Sequence, residues 1–329
     1  MNNRNPDHNE IPRILKALES RSRYLVATHV RPDGDAVGSL LAMTYLLRRL
    51  CKEAHPYCQD PIAAAHEFLP GSSLIRHEVG EPEAYEAAIM VDCGDYHRVG
   101  RSLEEAIGRI PYLINIDHHL NNAPFGDIFW VEPRASSTCE MLYDLATSVP
   151  LSPDAEMATQ LYTGVLTDTG SFRFSNTSER VLEIARNLVN CGAEPSYIAE
   201  QVYDSSSPQR IQLLARVLAT VRFDADDRLV TAELSQHMFN ETGTTPADTE
   251  SFINHLRSVK TARMAVLFRE EKDGVINVSM RSKGAVDVAS LAKNFGGGGH
   301  YHAAAFRVRG MTLAEARERF TGEALGRLR

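Results

Sequence analysis

Tyr24-Leu-Val-Ala-Thr-His29-Val-Arg-Pro-Asp33-Gly-Asp35-Ala-Val-Gly38-Ser39 is an apolar run that ends in a polar loop and passes into a helix. Tyr24 to Ala27 is short, apolar and followed at once by loop residues, which predicts a buried strand. The loop then offers one imidazole and two carboxylates, His29, Asp33 and Asp35, and Pro32 and Gly34 supply the bends that let them converge. Such nitrogen and oxygen donors suit Mn²⁺, Mg²⁺ or Zn²⁺. An Asp before a helix is also an ordinary N-cap, so the loop gains meaning only if the pattern recurs.

It recurs along the chain. Ala87 to Val91 is an apolar strand running into Asp92-Cys-Gly-Asp95, and Tyr112 to Ile116 is another that delivers Asp117-His118-His119. Helices are expected at residues 10–21, 36–50 and 102–109, with further strands at 54–58 and 128–132. Two more helices follow, and the second, residues 153–166, runs into Thr167-Asp168-Thr-Gly170, a further acid at an element boundary. Strands alternating with helices predict an α/β fold with a mostly parallel sheet flanked by helices, whose ligands bind beyond the carboxyl ends of the strands.

From Pro208 to Thr220 a helix follows a Ser-rich break, and beyond it the style changes. Strands at 228–234, 263–269 and 275–280, the last two joined by a turn ending in Asp273-Gly274, predict a smaller α+β domain. A helix from Asp287 to Phe295 ends in the loop Gly296-Gly-Gly-Gly299-His300, and a strand and a charged helix complete the chain. The division expected is a catalytic metal-binding domain at 1–204, a helical linker at 205–224 and a substrate-binding domain at 225–329.

Composition narrows the function. With 43% apolar and 24% charged residues, the 329-residue chain has the profile of a globular protein with room for two domains. A formal net charge of -8 argues against a broad basic grip on long duplex nucleic acid. The start of the chain lacks a signal-peptide core, and no run reaches the ~18 apolar residues of a membrane span. A cytoplasmic location with no membrane partner is therefore expected. The five cysteines never stand as C-x-x-C, so neither a disulfide framework nor a structural zinc site is indicated.

His29, Asp33, Asp35, Asp92, His118 and Asp168 are candidate ligands from four element ends. Two cations sharing a carboxylate use such a set well, and a pair ~3.5–4 Å apart activates water and clamps both oxygens of a phosphoryl transfer. In the second domain, consecutive glycines bare their N–H groups to an anion, and Arg281 can offer a bidentate fork. Arg98, after the third strand, could face substrate or sit in a surface salt bridge.

The ordered motifs THVRPDGDAVGS, VDCGD, DHH and TDTGSF, followed by RSK and GGGGH, resemble the DHH phosphoesterase superfamily with its DHH-associated C-terminal domain. The two-domain length is similar to the branch of bacterial oligoribonucleases and pAp phosphatases, and the likeness runs from about residue 10 to 310. It implies that His29, Asp33 and Asp92 hold one metal and that Asp35, Asp92, His118 and Asp168 hold the other, with Asp92 as bridge. Asp117 would orient its neighbours, and His119 would contact the scissile phosphate as a possible acid. Arg281, Ser282, Gly298, Gly299 and His300 would bind substrate. The implied cofactors are two divalent ions, Mn²⁺ before Mg²⁺ or Co²⁺. The implied reaction is hydrolysis of short oligoribonucleotides and adenosine 3′,5′-bisphosphate (pAp), with a homodimer open as the assembly.

Other activities on the same chemistry are cyclic- or linear-dinucleotide phosphodiesterase and single-strand DNA exonuclease, and the non-enzyme alternative is an inactive nucleotide-binding regulator. One departure from the pattern is Ala305, where relatives commonly carry glycine, which bears on the shape of the substrate pocket.

Overall fold

The computed structural model describes residues 10–119 and 125–328. The chain divides between Ser205 and Ser206 into two units, each built on its own sheet.

In the first unit, α1 (Ile11–Glu19) leads into β1 (Arg23–Ala27), α2 (Gly34–Arg49), β2 (Glu53–Tyr57), β3 (Ala87–Val91), α3 (Arg101–Ile107), β4 (Leu113–Asp117) and β5 (Ile128–Val131). The strands lie in the order β2-β1-β3-β4-β5, and every neighbouring pair is parallel. Tyr24, Val26, Ile89, Val91, Ile114 and Ile116 feed the core on one face of the sheet. Leu25, Ala27, Ala88 and Met90 feed the other, against α3. Burial on both faces is why these strands read as unbroken apolar runs.

The strand order reverses at β1, because β2 lies on one side of it and β3 on the other. Crossovers leaving in opposite directions open a crevice there, beyond the carboxyl ends of β1 and β3. Four further helices complete the unit: α4 (Thr138–Thr147), α5 (Ala155–Asp168), α6 (Glu179–Asn190) and α7 (Pro195–Tyr203). α5 packs closely on α2. A Cβ on Gly38 would stand 2.6 Å from the Gln160 carbonyl oxygen, so only glycine permits this approach.

The second unit contains α8 (Pro208–Ala219), β6 (Arg222–Asp224), β7 (Leu229–Leu234), α9 (Gln236–Thr242), α10 (Phe252–Arg257), β8 (Met264–Glu270), β9 (Ile276–Ser282), α11 (Val288–Lys293), β10 (Gly298–His300), β11 (Ala303–Val308) and α12 (Leu313–Gly326). Its six strands run β10-β11-β9-β8-β7-β6, antiparallel except for β7 beside β8. The segment expected as a helical linker differs: α8 buries Leu213 and Val217 in a core with Val230, Leu234, Phe239 and Phe252. It belongs to the second unit because its apolar stripe is needed to cover that sheet. The glycine loop also differs, since Gly298 to His300 pair with Ala303 to Ala305 as an edge strand.

No helix among the described residues is long and apolar enough to cross a membrane.

Candidate metal and phosphate centre

Each strand end at the crevice contributes in turn. After β1 the chain turns through Arg31, which is left-handed at φ 54°, and Asp33 caps α2 by accepting from Ala36 N at 3.1 Å. The cap and the ligand readings of Asp33 therefore coexist. One of its oxygens also lies within 4.8 Å of a His29 nitrogen and an Asp92 oxygen. Asp35, in the first turn of α2, is buried, and its carboxylate accepts from the backbone N–H groups of Thr138 at 2.6 Å and Cys139 at 3.0 Å. These are free N–H groups at the start of α4, where the helix dipole favours an anion.

β3 runs into Asp92, whose φ of 54° turns the chain sharply. Aspartate tolerates this left-handed conformation better than most residues. Its carboxylate lies between two imidazoles, with Oδ2 3.6 Å from His29 Nε2 and Oδ1 3.6 Å from His118 Nε2, while Oδ1 also accepts from the Thr138 hydroxyl at 3.0 Å. β4 includes Asp117, whose Oδ1 is 2.7 Å from His119 Nδ1 and whose Oδ2 accepts from His119 N at 3.1 Å. Asp168 is the last residue of α5 rather than a loop residue, and its Oδ2 stands 3.3 Å from His118 Nε2.

The structure thus brings together all six residues named from the sequence as ligands. Together with His119, expected from the sequence as a phosphate contact, they form three overlapping groups: His29, Asp33 and Asp92; Asp92, His118 and His119; Asp35, His118 and Asp168. Asp92 and His118 are each shared. Two donors on one ion, each ~2.1 Å from it, lie about 3–3.6 Å apart, close to the separations of 3.3 to 3.8 Å around His118 Nε2. The contacts at 3.6 and 3.8 Å are too long for hydrogen bonds. The imidazoles are also oriented for ligation, because Nδ1 of His29 is 2.9 Å from Val30 O and Nδ1 of His118 is 3.3 Å from Ala135 O. Holding Nδ1–H on a carbonyl puts the lone pair on Nε2, as a metal ligand needs.

Electrostatics agree with a cation site. Burial, reinforced by the charges of Asp35, Asp33, Asp117 and Asp168, pushes Asp92 well above the usual carboxylate range. Asp35 is raised for the same first reason, burial. Burial, helped by Arg98, lowers His29 to about 4, so this imidazole stays neutral and able to donate. For His118 burial disfavours the charged ring, but Asp168, Asp35 and Asp117 outweigh it and raise the pKa.

Sequence reasoning missed Thr138 and Cys139, whose N–H groups and hydroxyl hold the two central carboxylates. It also missed Gly164, where a Cβ would collide with Cys139 Sγ and Asp35 Oδ1. The capping residue Ser137 before an acid at Glu140 marked a helix start, but nothing local said what that start would face.

In the second unit, Arg281 is at the end of β9, with Nη1 donating to Met280 O at 3.0 Å. Ser282 is buried, and its hydroxyl is occupied within the unit, 2.6 Å from Val286 O and 2.9 Å from His302 Nδ1. Gly298 and Gly299 lie in β10, and Gly299 has φ 140° with Ala303 O where a Cβ would be. Ala305 pairs with Gly298 and, on its other side, with Ser279. His300 is in β10, while its side chain lies outside what the structure describes.

Residues 23–165 match the model of the DHH family N-terminal domain, and residues 226–326 match the DHHA1 domain. A relative from Thermus thermophilus, the bifunctional oligoribonuclease and PAP phosphatase NrnA, is 35% identical over 309 residues, 94% of this chain and 90% of that one. The chain belongs to the DHH family. As a DHH protein it is a phosphoesterase, a hydrolase of a metal-dependent family. The solved structure of an exopolyphosphatase-related protein from Bacteroides fragilis is similar to this DHH chain with a TM-score of 0.88 at 26% identity, covering 96% of this chain and 95% of that one. The exonuclease RecJ bound to manganese shares the DHH fold with a TM-score of 0.53 at 14% identity, covering 96% and 94%.

Proposed function

We propose that this protein hydrolyses short oligoribonucleotides and adenosine 3′,5′-bisphosphate with the help of two divalent ions, Mn²⁺ above others. The observation that carries the reading is Asp92, whose two oxygens face His29 and His118 from opposite sides at 3.6 Å each. His29, Asp33 and Asp92 would hold one ion, and Asp35, Asp92, His118 and Asp168 the other. When bound, such a pair lowers the pKa of water and offsets charge on the phosphoryl oxygens.

The chain's own residues do the rest. His29 and His118 are kept in the donor tautomer by backbone carbonyls. Asp117 orients His119, which is half-buried beside Asp92 and placed to share a proton with an ester oxygen. Arg281, Ser282, Gly298, Gly299 and His300 would receive the remainder of the substrate, with the Ser282 hydroxyl also held by Val286 O and His302 Nδ1. The names of the relatives support the substrate class, and the RecJ structure supports manganese. Incubating purified protein and Mn²⁺ with pAp, two- to five-residue RNA and cyclic dinucleotides tests the reading. Release of AMP from pAp and of mononucleotides from the RNA is expected, and binding without product would refute it.

A further inference from the structure

The turn that follows β3 is held at every point but one. It begins with the left-handed Asp92, and two residues later a Cβ on Gly94 would stand 3.0 Å from His119 Cβ, so the backbone lies against the DHH motif. The Asp95 side chain accepts from His97 N at 2.9 Å, and Arg98 N donates to Asp95 O at 2.9 Å. The Arg98 carbonyl accepts from Val30 N at 2.8 Å, which ties the turn to the β1 loop beside His29. At its end Gly100, φ 91°, packs where a Cβ would meet Gln59 Oε1.

The side chains of this turn are spent in the same way. His97 Nδ1 is 2.6 Å from Glu104 Oε1, and Tyr96 OH donates to Glu104 O at 3.3 Å. Arg98 differs. Its side chain is exposed, and among the described residues its guanidinium makes no hydrogen bond or ion pair. Its backbone is tied to the loop beside His29, and its charge is felt by His29, Asp33 and Cys93, so it stands near the metal centre. A surface salt bridge, the alternative use for this residue, is absent among the described residues.

We infer that Arg98 is a phosphate-gripping catalytic residue, its guanidinium fork engaging the non-bridging oxygens of the phosphoryl group being hydrolysed. A rigid turn suits such a role, because the backbone that carries the donor is already placed and only the side chain has to be ordered when charge builds on the phosphate. Arginine matches two phosphate oxygens at once, which lysine cannot do. The arginine makes no ion pair with the acids among the described residues, and it adds positive charge near His29 and Asp33. The inference deepens the phosphoesterase reading above and rests on it.

Arg98→Ala and Arg98→Lys in the full chain test it with three readouts: pAp hydrolysis, binding of inorganic phosphate to the Mn²⁺-loaded protein, and the Mn²⁺-dependent rise in melting temperature. For Arg98→Ala the expected results are a fall of about 10²-fold in kcat, phosphate binding weaker by about tenfold, partial rescue by added guanidinium, and an unchanged Mn²⁺ shift. Arg98→Lys is expected to recover phosphate binding only in part. Hydrolysis and phosphate binding within twofold of the unsubstituted protein would overturn the inference, as would loss of the Mn²⁺ shift, which would mark a merely structural residue. If the unsubstituted protein turns over none of the nucleotides, the proposed substrates fail, while the phosphate-binding comparison still decides the role of Arg98.

Discussion

Asp92 is buried, left-handed and close to four other carboxylates, an arrangement costly to leave uncompensated. In the metal-free protein its pKa is raised, and so is that of His118. A group whose folded pKa exceeds its unfolded value contributes stability below the unfolded pKa and loses it as pH rises through the folded one. His29 is shifted the other way, to about 4, so its opposing contribution ends at the ordinary imidazole value. The chelated protein is therefore expected to lose melting temperature over the interval above about pH 6.5, and saturating Mn²⁺ should flatten that slope. A metal-free melting temperature that climbs across this interval would contradict the account. The hydroxyl of Thr138 holds Asp92 in place, so Thr138→Val should weaken Mn²⁺ binding by about tenfold while the far-UV circular dichroism stays unchanged. Asp92 and His118 were legible in the sequence because Asp92 follows an apolar run directly and His118 follows one after Asp117. Thr138 was not, since a Thr near a helix start looks the same whether it faces solvent or a carboxylate 46 residues away.

Between elements, the approach of α2 to α5 sets the distance between Asp35 and Asp168. Gly38 and Gly164 make room for it. Gly164→Ala should cost about 1–3 kcal/mol in denaturant unfolding and should also lower Mn²⁺ affinity, because its Cβ would press on Asp35 as well as Cys139. Unaltered metal affinity would mean that the helix contact serves packing alone. The buried strands and long helices could be read in advance, since hydrophobic period and length both point to them. α7 could not, because its segment buries only Ile198 and shows no apolar stripe. β6 is three half-exposed or exposed residues at a sheet edge, and β10 is made of two glycines and a histidine. Glycine offers no side-chain pattern, so pairing with β11 was decided by tertiary contact rather than by local sequence.

For the whole molecule, the join between the units is the short stretch before α8, where Asp204, Ser205 and Ser207 are exposed. Limited proteolysis should cut there first, giving fragments that end and begin near Ser205 and Ser206. First cleavage inside α8 would show that this helix is the connector its sequence suggested rather than part of the second core. The alternation of strand and acid made the first unit's architecture readable, whereas assigning α8 needed its buried neighbours. In the proposed catalytic centre one carboxylate, that of Asp92, serves two ions. Calorimetric titration of the intact protein with Mn²⁺ measures this directly, with Asp92→Asn beside it. Two ions per chain are expected for the unsubstituted protein, with both sites weakened together in the variant. A variant that loses one site and keeps the other at full affinity would contradict the shared-ligand centre.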